Sequence, residues 1–591
     1  MYIMGISCYY HDAAAVLLRD GVLLAAAEEE RFTRIKHDSN FPDNAIRFCL
    51  EHGGISGKDL DFVVFYEKPF HKFERILMTT FQSFPRSWKI FREAMINWLG
   101  DKLWVKSLLK DKLGVEDEKI LFGEHHLSHA ASCFFPSPFE EAAILTVDGV
   151  GEWATTSMGV GKGNKIKVMR EIKFPHSIGL LYSTFTAFLG FKVNNGEYKV
   201  MGMAPYGKPR YADRIYEHLV KVAKDGSFWL NMDYFSYHYS EEKTFNEKFE
   251  GLFGTPRPRE MNFFTSNTKY PTYFGEKPSD YEQLCQKNEH YADIAASIQK
   301  VTEEILLGLA MNLHKETGLS KLCIAGGVGL NSVANGRILM ETPFDGIFIQ
   351  PAAGDSGGAL GAALHVYHGL LGKPRKFTLE HAYWGKGYSE DDIRTFLEDN
   401  GVSYTYFQDD DQLLTRVVDD IVSGKVVGWY QGRFEWGPRA LGNRSILADP
   451  RSEEMKDLVN TKIKFREPFR PFAPVILEES VEDFFSVDNV VLQYPARYML
   501  LVLPLNASKA KKIQAVNHMG TGRLQTIRME WNPRYYRIIK QFEEATGVPV
   551  LLNTSFNLRG EPIVNTPANA YNTFSRSDID VLVMENFMIR K

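Results

Sequence analysis

One pattern constrains the fold of this chain more than any other: a short apolar strand, a polar corner, a second strand, a turn and a third strand, written twice. The first copy is YIMGISCYYHDAAAVLLRDGVLLAAAEEERF, with its corner at His11-Asp12 and an Arg-Asp-Gly turn. The second starts at Ala142, AAILTVDGVGEWATTSMGVGKGNKIKVMREIKF, with corners at Asp148-Gly149 and Gly151-Glu152. An internal duplication of about thirty residues would set two such loops facing one another across a cleft. Two unrelated hairpins are the alternative.

Two strand-loop-helix units follow. KLCIAGGVGLNSVANGRILM puts Gly326, Gly327 and Gly329 straight after an apolar strand, with Asn331 in the first turn of a helix. DGIFIQPAAGDSGGALGAALHVY repeats the arrangement with Gly354, Asp355, Gly357 and Gly358. Glycine permits close backbone approach, and a helix N-terminus favours an anion. Neither string matches a Walker A or dinucleotide fingerprint. Tight turns also need glycine for structural reasons, but loops of this kind after a duplicated hairpin favour a nucleotide cleft of the actin and hexokinase type.

At 591 residues and 44% hydrophobic content the chain has material for two to four domains with buried cores. Sixty-nine Lys plus Arg against 74 Asp plus Glu leave a net charge of -5, which argues against a dedicated polyanion binder. Cys8, Cys49, Cys133, Cys285 and Cys323 are odd in number and show no CxxC spacing, as in a reduced protein without thiolate zinc. The apolar stretch 13–27 is broken by Arg19, Asp20 and Gly21, so it reads as a hairpin and not a span. The expectation is a soluble cytoplasmic protein, monomer or homodimer, with neither nucleic acid nor membrane as partner. A Gly/Pro break at residues 369–374 divides residues 1–372 from 373–591.

The second half changes vocabulary. Between Gln431 and Arg470 lie Arg433, Arg439, Arg444, Arg451, Lys462, Lys464, Arg466 and Arg470, interleaved with Gly, Pro and aromatics off any helical period. Ion pairs with Glu435, Asp449 and Glu467 explain part of this; the rest points to a pocket for a small phosphate or carboxylate. A second basic region, Lys68–Lys112, holds ten Lys/Arg against four Asp/Glu with Phe and Trp between them. It reads as two amphipathic helices whose aromatics are core and whose charges are solvated, with contact to a membrane surface or nucleic acid as the alternative.

Metal chemistry is suggested by GEHHLSHAASCFF. His125 and His129 are four apart and share a helix face, about 6 Å between Cβ atoms. A satisfied core histidine is the competing reading, and His126 points elsewhere. Asp148 in the second corner and Asp355 in the last glycine loop supply carboxylates; two imidazoles and two carboxylates suit Fe(II), Mn(II) or Zn(II) more than calcium.

Beyond these features, HDAAAVLLRDG, AAAEEERFTRIKHDSNFP, HHLSHAASCFFPSPF, VDGVGEW, GEYKVMGMAPYG, QPAAGDSGGALGAAL, QGRFEWGPRALGNRSIL, FREPFRPFAPVI and LLNTSFNLRGEPIV occur in order along nearly the whole chain. Together they resemble the NodU/CmcH carbamoyltransferases, enzymes that transfer carbamoyl to a hydroxyl of a small molecule. The resemblance implies an α/β protein: a duplicated actin-like (ASKHA) ATPase domain followed by a YrdC-like domain.

Residue by residue, it implies a metal site, Fe(II) in the first instance, at His125, His129, Asp148 and Asp355. It implies ATP, with Mg as a further possible ion, on Gly149, Gly151, Gly326, Gly327, Val328, Asn331 and Gly354. Carbamoyl phosphate would meet Arg439, Lys464, Arg470, Arg523, Ser555 and Asn557, and His11, beside Asp12, would orient or deprotonate the acceptor hydroxyl. The family's HxDGTxRxQ motif is altered here, with Asn517 and Met519 in place of its His and Asp, while Arg523 and Gln525 persist. A threonylcarbamoyl enzyme acting on tRNA and an actin-fold small-molecule kinase are the competing functions.

Overall fold

The computed structural model describes the chain apart from residues 101, 241, 260, 269 and 271–273. It divides into two compact units. The first comprises Met1–Glu29, Ser39–Thr268 and Pro278–Thr378; the second comprises Glu30–Asp38, Lys269–Lys277 and Leu379–Lys591.

The first unit is built on two five-stranded sheets. The opening hairpins form β1 (Tyr2–Ser7), β2 (Ala14–Arg19) and β3 (Val22–Glu28), extended by β4 (Phe62–Phe65) and β5 (Ile120–Phe122) in the order β3-β2-β1-β4-β5. The second copy gives β6 (Glu141–Val147), β7 (Ala154–Lys162) and β8 (Lys165–Lys173). After a separate ribbon of β9 (Val220–Val222) and β10 (Phe228–Leu230), that sheet is completed by β11 (Lys321–Ala325) and β12 (Gly346–Phe348), in the order β8-β7-β6-β11-β12. In both sheets the first three strands are antiparallel and the last two run parallel to the first. The repeat seen in the sequence is therefore a repeat of topology, the duplicated actin-like α/β organisation.

Two helices fix the site. His125–Phe134 and Asp355–Leu364 are almost entirely buried and pack on one another, and the second also packs on β1. The approach is at backbone distance: a Cβ on Gly361 would stand 1.8 Å from the Ser128 carbonyl oxygen, which no side chain tolerates.

The second unit holds a mixed nine-stranded sheet, again α/β. Its strands are β13 (Thr405–Tyr406), β14 (Val427–Tyr430), β15 (Arg444–Ala448), β16 (Ala473–Leu477), β17 (Leu501–Pro504), β18 (Thr521–Ile527), β19 (Val550–Ser555), β20 (Val581–Met584) and β21 (Phe587–Arg590), in the order β13-β21-β20-β14-β15-β19-β16-β18-β17.

The basic region departs from expectation. It forms three helices, Pro69–Gln82, Trp88–Gly100 and Val105–Leu113, and its aromatics are not uniformly core. Trp98 is buried, but Phe70, Phe81, Phe84, Trp88 and Trp104 are exposed. The reason is visible in the first helix, whose buried residues are Pro69, Lys72, Arg75 and Thr80: its inward face is the cationic one. Asp101, counted in that segment, lies outside the described residues. The five cysteines are free and buried, and no described helix is long and apolar enough to cross a membrane.

Candidate active site

The corner after β6 and the N-termini of the two buried helices bring His125, His129, Asp148 and Asp355 together, with ligand-capable atoms all within 4.8 Å of one another. His129 Nε2 is 3.1 Å from His125 Nε2 and 3.5 Å from Asp355 Oδ1; His125 Nε2 is 3.3 Å from Asp148 Oδ2 and 3.6 Å from Asp355 Oδ1. An ion holding N and O donors at about 2.0–2.2 Å spaces neighbouring donors about 2.9–3.6 Å apart, which four of these spacings meet while His129 Nε2 to Asp148 Oδ2 is wider at 4.0 Å, so the four residues could hold one metal ion. Asp355 Oδ2 and His129 Nδ1 are buried without a hydrogen-bond partner.

Further polar groups hold this set in place. Glu67 Oε2 accepts from His125 Nδ1 at 3.3 Å, which turns Nε2 toward the cluster, the carboxylate-histidine arrangement common at metal sites. Burial opposes ionisation of Glu67, but Lys72 at 2.7 Å and His125 overcome it and bring the carboxyl down to about 2. Glu152 accepts from the backbone N–H of His125, capping the helix, and from that of Lys68. His126, by contrast, bonds Thr146 Oγ1 at 2.7 Å, and burial pushes its pKa down: it is a neutral core histidine.

The glycine loops adjoin the cluster. Asp148 presents Oδ2 to His125 while Oδ1 accepts the Gly327 N–H at 2.9 Å. Gly326 has φ +93°, and a Cβ there would lie 2.2 Å from the Val147 carbonyl oxygen. Gly151 leaves room for the His125 ring, and Gly149 lies beside the Tyr10 hydroxyl. Val328 lies in the short turn 327–330, and Gly354 precedes Asp355 at the N-terminus of its helix. Asn331 is placed differently from the sequence reading. It is the N-cap of helix Ser332–Glu341, accepting from the Ala334 N–H, and it pairs with the Gln299 amide.

His11 bonds Asp12 Oδ2 through Nδ1 at 2.7 Å and the Asn194 carbonyl oxygen through Nε2 at 3.0 Å. Both partners are acceptors, an arrangement that favours the imidazolium form of the ring. Burial disfavours that charge, yet Asp12 outweighs it and raises the pKa to about 9.

In the second unit Lys464 Nζ donates to Ser555 Oγ at 3.2 Å, to the Asn557 carbonyl oxygen at 3.0 Å and to Asn557 Oδ1 at 2.7 Å. Burial depresses its pKa, with the charges of Arg466 and Arg470 adding to the effect. Strand register sets Ala473 opposite Asn553 and Val475 opposite Gln525, so Arg470, Arg523 and Ser555 fall at one end of β16, β18 and β19. Arg439 lies on the loop 435–444, tied down by Gln525 donating to the Leu441 carbonyl and Asn553 to that of Ala440.

Half of the arginine-rich stretch is structural. Arg433 bonds the Gly385 and Trp384 carbonyls, Arg444 is buried over the Tyr430 ring and bonds the carbonyls of Gln431, Gly432 and Asn443, Arg451 chelates Asp449, and Arg466 bonds Asn460. That is more than ion pairing alone predicted, because most of the acceptors are backbone carbonyls. Met519 is exposed at φ +53° in a turn closed by Asn517 Oδ1 accepting the Gly520 N–H.

Residues 2–364 match the carbamoyltransferase N-terminus and residues 418–591 the carbamoyltransferase C-terminus. The chain belongs to the carbamoyltransferase family. It is 48% identical to an uncharacterized protein of Synechocystis sp., covering 100% of this chain and 97% of the relative. It is 36% identical to nodulation protein NolNO of Sinorhizobium fredii, covering 99% and 79%, and 37% identical to nodulation protein NolO of Bradyrhizobium diazoefficiens, covering 79% and 78%.

Three acceptor roles in this carbamoyltransferase escaped the sequence reading, which did not single out Glu67, had Glu152 only as a corner residue and expected ion pairs from Glu435 where the structure gives it backbone N–H groups. Glu67 and Glu152 bond the His125 ring and backbone, and Glu435 Oε1 accepts the N–H groups of Leu441, Asn443 and Arg444, folding the loop that carries Arg439. Glu67 had a signal: it stands two residues beyond the apolar strand β4, and Asp148 directly follows β6.

Proposed function

We propose that this carbamoyltransferase uses ATP and carbamoyl phosphate to carbamoylate a hydroxyl of a small molecule through carbamoyl-adenylate. The observation that carries the reading is Asp148, whose two oxygens face the His/Asp cluster on one side and the Gly327 N–H on the other, so a ligand on the glycine loop would lie beside the cluster. Fe(II), Mn(II) or Zn(II) held by His125, His129, Asp148 and Asp355 would supply Lewis acidity toward phosphate oxygens. Gly326 and Gly327 would let nucleotide phosphate approach the backbone, with Gly149, Gly151, Val328 and Gly354 around it. Residues 373–591 would handle carbamoyl phosphate, with Arg439, Arg470 and Arg523 binding its phosphate and Lys464, Ser555 and Asn557 ordering the pocket.

The chemistry balances in three steps. Water and carbamoyl phosphate give carbamate and phosphate. A carbamate oxygen attacks the α-phosphorus of ATP and pyrophosphate leaves. The acceptor oxygen then attacks the carbamoyl carbon, the bond to the AMP oxygen breaks, and the hydroxyl proton is released. The His11 imidazolium beside Asp12 is suited to hold a proton against the departing phosphate oxygen.

Incubation of the full chain with ATP and carbamoyl phosphate is expected to yield AMP and pyrophosphate, with loss in Asp355→Ala and Arg439→Ala. ATP consumption indifferent to carbamoyl phosphate, or ADP as product, overturns the reading.

A further inference from the structure

Helix Pro69–Gln82 is turned inside out. Phe70 and Phe81 are exposed on it while Lys72 and Arg75 are buried. Burying a charged side chain in place of an available phenylalanine is costly, so the arrangement needs a cause. Lys72 is paired with Glu67, and both cations line a cavity of ≈ 120 Å³ among Tyr9, Tyr10, Glu67, Lys72, Arg75 and Trp98. On this measure a single water needs about 10–15 Å³, so the space takes a chemical group and not one water.

The cavity abuts the cluster. Glu67 in its wall bonds His125 Nδ1, and the Tyr10 hydroxyl lies 3.8 Å from where Gly149, next to Asp148, would carry a Cβ. Charge in the cavity is unbalanced in one direction. Glu67 is already matched by Lys72 at 2.7 Å. Arg75, only 7% exposed, makes no ion pair among the described residues; the Phe174 ring stands 5.0 Å from its guanidinium carbon, and its Nη1 is buried without a hydrogen-bond partner. Lys102 adds a second cation in the lining. A guanidinium offers a fork of donors that matches an oxyanion, and Tyr10 and Trp98, with Lys72 and Lys102 over one face each, give the wall an aromatic character suited to a ring.

We propose that this cavity is the acceptor subsite and that the acceptor is a ring-bearing hydroxyl compound carrying an oxyanion, carboxylate or phosphate, bound by Arg75. The assignment of the ligand as acceptor rests on the carbamoyl-transfer reading; the anion selectivity does not.

Calorimetry on the full chain without ATP separates the two. Glucuronate and glucose 6-phosphate, each compared with glucose, share a ring and differ in the anion. At least one is expected to bind about tenfold or more tightly than glucose, and Arg75→Met should abolish that preference while Arg75→Lys keeps part of it. The arm that binds tells carboxylate from phosphate. If Arg75→Met does not fold, Lys102→Glu, placing an anion in the lining, should weaken the same probe by a similar factor. Equal binding of glucose and both anions, no binding at millimolar concentration, or displacement of the anion by carbamoyl phosphate alone each overturns the proposal. AMP formation assayed on the same preparation reports independently on carbamoyl activation.

Discussion

Nε2 of His125 and Nε2 of His129 stand 3.1 Å apart, 0% of either side chain exposed, with no hydrogen-bond partner for the second ring's Nδ1. Two imidazole nitrogens so close, beside two carboxylates, are stable together when a cation takes both lone pairs. The full chain is therefore expected to carry about one transition-metal ion, measured by elemental analysis, and Asp355→Asn or His129→Ala should lose it. Chelation should lower the melting temperature of the wild type and leave His129→Ala unmoved, since an ion at 1,000 times its Kd contributes about 4 kcal/mol.

Asp12→Asn should release His11. Its imidazole titrates at about 9 because Asp12 holds the charged form, and without that carboxylate an NMR titration should find it near the ordinary value of about 6.5 or lower. A folded-state pKa raised above the unfolded one stabilises the protein. That contribution, at most about 3 kcal/mol, is fully present below pH 6.5 and fades as pH rises through 9. A His11 pKa unchanged in Asp12→Asn would contradict the assigned pairing.

Gly361→Val should destabilise the first unit by roughly 2–4 kcal/mol or prevent its folding, because the new Cβ meets a backbone oxygen and not a flexible side chain. Thermal melts of this variant beside Gly354→Ala, where a Cβ meets nothing within 4 Å, make the comparison.

Glu435→Ala should strip three backbone N–H groups of their acceptor and cost about 3 kcal/mol or more. With the 435–444 loop loosened, the melting shift that carbamoyl phosphate gives the wild type should vanish. Persistence of that shift would show that Arg439 reaches its ligand without the loop's order.

The legible parts of the site were those with a period or a repeat behind them. His125 and His129 share a helix face by their spacing, Asp148 sits at a corner whose counterpart is His11-Asp12, and the 3-2-1-4-5 sheets follow from a hairpin written twice. Contacts to backbone atoms leave no such mark. Nothing in the sequence says that Arg444 and Arg433 spend their donors on carbonyls, or that Glu152 caps the helix of His125. The basic region misled because its composition is amphipathic, and composition does not say which face turns inward; Arg75 and Lys72 do, where phenylalanine was expected.

Helix Asp355–Leu364 meets two neighbours at backbone distance, Ser128 through Gly361 and β1 through Gly5, whose Cβ would lie 1.9 Å from the Ala359 carbonyl oxygen. Such seams contain no compliant layer of side chains to take up a displacement. A shift of Asp355 is therefore expected to reach the helix of His125 and, along β1, the corner of His11 and Asp12. The candidate ligand cluster and the His11-Asp12 pair thereby share one rigid path within the first unit.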